Sequence, residues 1–202
     1  MNATPDSAPT SLRHQTPNPC GPRVPWHLLW VVLWHLGAAG WAAAGAKAAV
    51  HPDEATFATL IGKVVHVSDG DTITILDENK QEQKIRLAGI DAPEKSQAFG
   101  QKAKQTLNDR LTGSQVTVRY QHKDRYQRVL GIIWLGDQDV NLEMVRLGLA
   151  WHYVAYARDQ SDRQVRDYAQ AEREAKDKHL GLWIDPAPTP PWDYRRQQRG
   201  QH

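Results

Sequence analysis

Thiols are almost missing from this chain of 202 residues, with Cys20 its one cysteine. Everything after it must fold without a disulfide and without a cysteine-ligated zinc site. Such a region is indifferent to redox compartment and suits an exported protein. Bulk charge is nearly missing too, at a formal +2 at pH 7. Residues 1–50 hold Arg13, Arg23 and Lys47 against Asp6 alone, so the rest of the chain is electrically balanced. A generally basic surface is thereby excluded as the means of holding a polyanion, and any affinity for phosphate must come from local clusters of Arg and Lys. Internal repeats and long low-complexity tracts are also absent. The length suits one domain plus tails.

Charge is missing in a second, local sense from residues 26–46, which contain no Asp, Glu, Lys or Arg. Leu28 to Leu36 form a short apolar core, followed by an Ala/Gly stretch in which Ala42-Ala-Ala44 and Ala44-Gly-Ala46 give the small-x-small pattern of a signal-peptidase site. Residues 1–50 are therefore expected to be a signal peptide behind a polar leader. The alternative is an uncleaved N-terminal membrane anchor, since about 20 apolar residues span a bilayer. Basic residues ahead of the run leave the N-terminus in the cytoplasm in both cases. The remainder is then exported, either periplasmic or secreted, or anchored with its domain outside the cytoplasm. Any membrane contact is confined to this segment. Cys20, in Asn-Pro-Cys-Gly ahead of the apolar run, is misplaced for a lipoprotein cysteine and reads as incidental.

Beyond this segment the pattern changes to short strands. Residues 59–67 are rich in Leu, Ile and Val, and residues 71–76 alternate with Ile73 and Ile75 on one face. A turn at 77–80 and a return strand at 83–88 complete a hairpin. Residues 96–111 read as a helix, with Phe99, Ala103, Leu107 and Leu111 four apart and Gly113 as the stop. Strands follow at 115–120 and 129–135, then a short helix at 139–149. Ser161-Asp-Arg-Gln164 reads as a capping box opening a third helix. Residues 186–202 read as a Pro-rich linker and a basic, aromatic tail that packs back through Trp192, with contact to phosphate through its arginines as the alternative. The fold class is α+β, a five-stranded oligonucleotide-binding (OB-fold) β-barrel with three packed α-helices.

A hairpin brings the chain back to where it started, so Asp91 is expected near Asp71. Two carboxylates meeting at one end of a sheet repel, and a divalent cation is the common way to neutralise them. With no Cys or nearby His, the oxygen-only donor set favours a hard ion such as Ca²⁺ over zinc. Asp69 is expected to do no more than cap its own turn. His122 and His152 are left as ordinary polar residues.

Three stretches, Asp69-Gly-Asp71-Thr72, Arg86-Leu-Ala-Gly-Ile-Asp91-Ala-Pro93-Glu94 and Asp124-Arg-Tyr-Gln-Arg128, together resemble the motifs of the staphylococcal (thermonuclease-like) nuclease family. The likeness spans residues 57–185. It implies the same OB-fold barrel and a calcium-dependent nuclease hydrolysing DNA and RNA with little sequence specificity, single strands favoured, leaving 3′-phosphate ends. It further implies Asp71, Asp91 and the Ala92 backbone carbonyl as metal ligands. Arg86 and Arg128 would clamp the phosphate, and Glu94 would act as base or positioner for the attacking water. Arg125 and Tyr126 match a phosphate-contacting Lys-Tyr pair, and Tyr153 or Tyr156 could stack on a base or equally pack between barrel and helix. Two departures stand out: Ala92 where the best-known members carry Thr, and Gln127 where they carry Gly. Two rival readings are an inactive OB-fold nucleic-acid-binding module and a membrane-anchored protein-interaction barrel. The intact acid and arginine set speaks against the first. The chain is expected to act as a monomer.

Overall fold

The computed structural model describes residues 57–200. The expected signal peptide or anchor lies outside the described residues. Eight strands and four helices follow in the order β1 (Ala58–Asp69), β2 (Thr72–Asp77), β3 (Glu82–Leu87), β4 (Ile90–Asp91), α1 (Gly100–Leu111), β5 (Gln115–Lys123), β6 (Val129–Leu135), β7 (Gln138–Asp139), α2 (Val140–Arg146), β8 (Trp151–His152), α3 (Asp162–Asp177) and α4 (Pro191–Arg199). Short 3₁₀ turns cover Val154–Asp159 and Gly181–Ile184.

The sheet runs β3-β2-β1-β5-β6-β7, and a parallel pairing of β3 with β6, Ile85 opposite Val129, joins the ends. Five strands thus close into a barrel, which removes the exposed edges a flat sheet would leave. β1 serves both sides, pairing with β2 and with β5, and its register slips twice against β2, between Val64 and His66 and between Val67 and Asp69. Bulges of this kind sharpen the local bend that closure requires. The alternation read from the sequence is the inward face: Val64, Val67, Ile73, Ile75, Ile85, Leu87, Val116, Val118 and Ile133 are all buried.

Helix α1 adds Ala103, Leu107 and Leu111 to the same cluster. It begins four residues later than the sequence suggests, because Phe99 sits in the left-handed region at φ 64°. Gly100 then lies so close to the chain that an added Cβ would overlap the Glu94 carbonyl oxygen. The polypeptide between Pro93 and Phe99 is consequently a tight loop. Helix α3 opens with the expected capping box: the Ser161 hydroxyl accepts from Gln164 N, and the Gln164 side chain accepts from Ser161 N. Helices α2 and α3 pack together around Tyr168, whose hydroxyl donates to both oxygens of Asp139 at 3.0 and 2.9 Å.

The tail differs from the sequence reading by being helical. Pro191 stands at the first turn of α4, where its fixed φ and missing N–H are harmless, and Asp193 favours the same end of the helix dipole. Trp192 does pack back, stacked on Tyr153 at 5.0 Å between ring centres and 13° between planes, and edge-on to Trp151. Among the described residues no helix is long and apolar enough to cross a membrane.

Candidate active site

Three backbone devices bring the acids together. First, β1 turns into β2 through Asp69-Gly70, with the Asp69 carboxylate accepting from Asp71 N at 3.1 Å, so Asp69 does cap its turn. Gly70 lies where a Cβ would come within 2.8 Å of the Ala92 Cβ and 2.7 Å of the Ala103 Cβ. Only a residue without a side chain lets this turn press against the Asp91 loop. Second, Arg86 lies opposite Thr72 across the β2–β3 hairpin. Third, β4 pairs with β8, Asp91 facing Trp151, which pins the loop that carries Asp91.

These devices converge on one guanidinium nitrogen. Arg86 Nη2 lies 3.0 Å from Asp71 Oδ2 and 2.8 Å from Asp91 Oδ1. Arg86 Nη1 donates to the carbonyl oxygens of Leu87 and Ile90 at 3.0 and 3.1 Å, so the planar group is fixed on both edges. Asp71 also accepts from Ala92 N at 2.8 Å and from the Thr72 hydroxyl at 3.1 Å. Burial is the main influence on Asp71 and raises its carboxyl to about 7; Arg86 and the Ala92 N–H work against that rise, while Asp69 and Asp91 add to it. The arrangement is a place built for positive charge. Its donors are oxygens, the choice of a hard divalent cation, and Asp71 and Asp91 are the residues that would hold one. For Ala92, the contact found is its N–H on Asp71.

Glu94 lies in the same cavity, about 670 Å³ in volume, with Asp71, Asp91, Arg86 and Arg128 in its wall. It is absent from the first turn of α1, so it is not a cap for that helix. Arg128 is held through Nε and Nη2 by Asp124 Oδ2, both at 2.7 Å. Burial works to raise the Asp124 carboxyl, but the bonds from Arg128 and from the backbone N–H groups of Arg128 and Tyr126 outweigh it and hold Asp124 below its usual range. Arg125 lies over the exposed ring of Tyr126, 4.8 Å from its centre, and both line the cavity. Tyr153 and Tyr156 line it as well, their ring centres 4.9 Å apart. Tyr153 has one face taken by Trp192. His152 is buried, with Nε2 3.0 Å from Gln160 Oε1 and away from the acids' contacts.

Sequence reasoning assigned no role to two residues of the site. Arg195, on α4, reaches Asp91 Oδ2 through Nη2 at 2.7 Å and Glu94 Oε1 through Nη1 at 2.7 Å. Its signal was the basic, aromatic composition of the tail, but without a helix there was no face on which to place it. Asp124, the partner that aims Arg128, also went unrecognised, although it opens the third motif.

A closed OB-like barrel of the α+β class, carrying clustered carboxylates and guanidinium groups at one end, defines a class built to handle phosphate. Comparison with known proteins narrows this further. The family described as staphylococcal nuclease homologue matches residues 84–185, and the chain belongs to that family. An uncharacterized endonuclease of Haemophilus influenzae is 47% identical over 137 residues, covering 68% of this chain and 74% of the relative. The micrococcal nuclease of Shigella flexneri is 42% identical over 147 residues, covering 68% and 82%. Protein ParB of Escherichia coli is 38% identical over 168 residues, covering 79% and 92%. The protein is a nuclease, a hydrolase of phosphodiester bonds with nucleic acid as its substrate. The family match takes in Arg86, Asp91, Glu94 and Arg128, and leaves out Asp71 and Arg195.

Proposed function

We propose that the protein is a calcium-dependent, exported nuclease that cleaves DNA and RNA with little base selectivity, with single strands preferred. The observation that carries this reading is that Asp71 and Asp91 both hold the Arg86 guanidinium, at 3.0 and 2.8 Å, in a cavity also lined by Glu94 and Arg128. Hydrolysis of a phosphodiester needs an oriented water, neutralised equatorial oxygens and a stabilised leaving oxygen. Glu94 meets the first need, its carboxylate holding the attacking water and accepting its proton. Arg86, with Nη1 on two carbonyls and Nη2 on two carboxylates, is a fixed positive charge whose Nε is left for one equatorial oxygen. Arg128, with Nε and Nη2 held by Asp124, is left with Nη1 directed to a second oxygen or to the leaving O5′. Calcium, when held by Asp71 and Asp91, supplies further charge neutralisation at the phosphate. Arg125 and Tyr126 guide the strand, and Tyr156 offers a ring for a base.

The deciding experiment is digestion of single-stranded DNA, plasmid and RNA by the full chain, with calcium and with a chelator. Chelation should abolish cleavage, and Glu94→Gln should lower turnover at least roughly a hundredfold with folding intact. Undiminished cleavage in chelator would refute the cation, and near-normal turnover by Glu94→Gln would refute its role. Intact-mass measurement of the exported protein separates a cleaved signal peptide from a retained anchor.

A further inference from the structure

Asp91 is fully buried, yet both of its oxygens are held by guanidinium groups, one from the barrel and one from the C-terminal helix. A divalent cation on the same carboxylate needs at least one of those lone pairs and repels both arginines. One of them must give way, and the structure distinguishes the two. Arg86 is 14% exposed at its side chain, sits on β3 between the inward-facing Ile85 and Leu87, and has two carbonyl acceptors besides the carboxylates. Freeing it would strand buried acceptors and a buried charge. Arg195 is 39% exposed at its side chain, and its bonds among the described residues are to Asp91 and Glu94. Its long side chain can swing outward without disturbing the helix. Helix α4 is held by other groups: Trp192 on Tyr153 and Trp151, and Tyr194 Oη 3.0 Å from Ser96 Oγ. The Gln97 side chain also donates to the Thr189 carbonyl just before the helix.

We propose that Arg195 is a displaceable place-holder for the cation. It neutralises Asp91 and Glu94 in the metal-free enzyme, is expelled when calcium binds, and so lets α4 set the enzyme's calcium affinity. The proposal rests on the metal role given above to Asp71 and Asp91, and assigns a function to a helix outside the family match. Calcium binding then opposes a contact that is already made. Its affinity is weaker than the carboxylates alone would give, and the pocket stays charge-balanced until the ion arrives. The same exchange frees Glu94 Oε1, so the water-handling carboxylate becomes available as the cation binds.

The experiment is isothermal titration of calcium alone into the full-length protein, without nucleic acid. It compares wild type with Arg195→Ala and with Arg196→Ala, which removes an equal charge from the same helix at a side chain 77% exposed and paired with Asp193. Trp192→Ala, which loosens the helix while keeping the arginine, is the second route to the same effect. Arg195→Ala should bind calcium roughly five- to tenfold more tightly, the ratio for losing a charge-assisted contact at a half-exposed side chain. Trp192→Ala should move in the same direction, and Arg196→Ala should stay within about twofold of wild type. Equal or weaker affinity in Arg195→Ala, with wild type binding normally, overturns the place-holder and leaves the nuclease reading intact. Calcium binding by neither protein overturns both.

Discussion

Gln127 carries a left-handed backbone, φ 62°, in the turn that delivers Arg128 to the cavity. The turn is built by Asp124, whose Oδ1 accepts from Tyr126 N at 2.8 Å and from Arg128 N at 3.0 Å, while its carbonyl accepts from Gln127 N at 3.0 Å. A side chain at positive φ is strained by contact between Cβ and the backbone. Glycine, which the best-known family members carry at this point, would adopt the conformation freely, so Gln127 is a replacement the fold tolerates at a cost. Gln127→Gly should stabilise the protein by about 0.5–1 kcal/mol after allowing for the greater freedom of glycine in the unfolded chain. Urea denaturation should show a higher midpoint at unchanged slope, and a lower midpoint would show that the Gln127 side chain offsets the strain through contacts of its own. At this scale the sequence was most readable. Asp71, Arg86, Asp91 and Glu94 each stand within a motif, and the structure gathers all four in one cavity. The partners that aim them were less readable. Asp124 holding Arg128 and Ala92 N holding Asp71 follow from backbone paths that no residue type records.

The elements differ in how much of themselves the chain shows. Helix α3 was readable at its start, since a capping box is a local signal and survives in the structure. Helix α1 was misplaced at its start because the deciding event, a left-handed Phe99 beside a glycine packed on the Glu94 carbonyl, is a tertiary contact. Helix α4 was hidden for a related reason: nine residues are too few to be helical alone, and its stability comes from Trp192 against Tyr153 and Trp151. The junction of α2 with α3 rests on a different kind of contact. Tyr168 is fully buried and donates to Asp139, which in turn caps α2 by accepting from Leu142 N at 2.9 Å. Burial raises the Asp139 carboxyl above its usual range, opposed by the bonds from backbone and from Tyr168. Tyr168→Phe keeps the ring and removes the donor, leaving a half-buried carboxylate under-bonded. It should destabilise the protein by about 1–3 kcal/mol, seen as a lower urea midpoint. A change below about 0.5 kcal/mol would mean that water replaces the hydroxyl and that the two helices are joined by apolar packing alone.

For the molecule as a whole, the near-zero charge of the globular part and its polyanionic substrate are reconciled by placement. Lys123, Arg125, Arg128 and Arg199 line the cavity that also holds the acids, although they come from β5, the following turn, the edge of β6 and the end of α4. Composition could give the balance of charge but not this gathering, which depends on barrel closure through the β3–β6 pairing and on the docking of α4. The expectation that affinity for phosphate is local acquires a measurable form. If about four phosphates of a single strand are neutralised by these cations, the logarithm of the binding constant should fall against the logarithm of salt concentration with a slope of about −3. Fluorescence anisotropy with a short oligothymidylate and the Glu94→Gln variant measures this without cleavage. Replacing Arg125 and Arg199 together by Ala should bring the slope to about −1.5. A slope shallower than about −1 in the parent would mean that stacking on Tyr126 and Tyr156 carries the strand and that the gathered cations serve only the scissile phosphate.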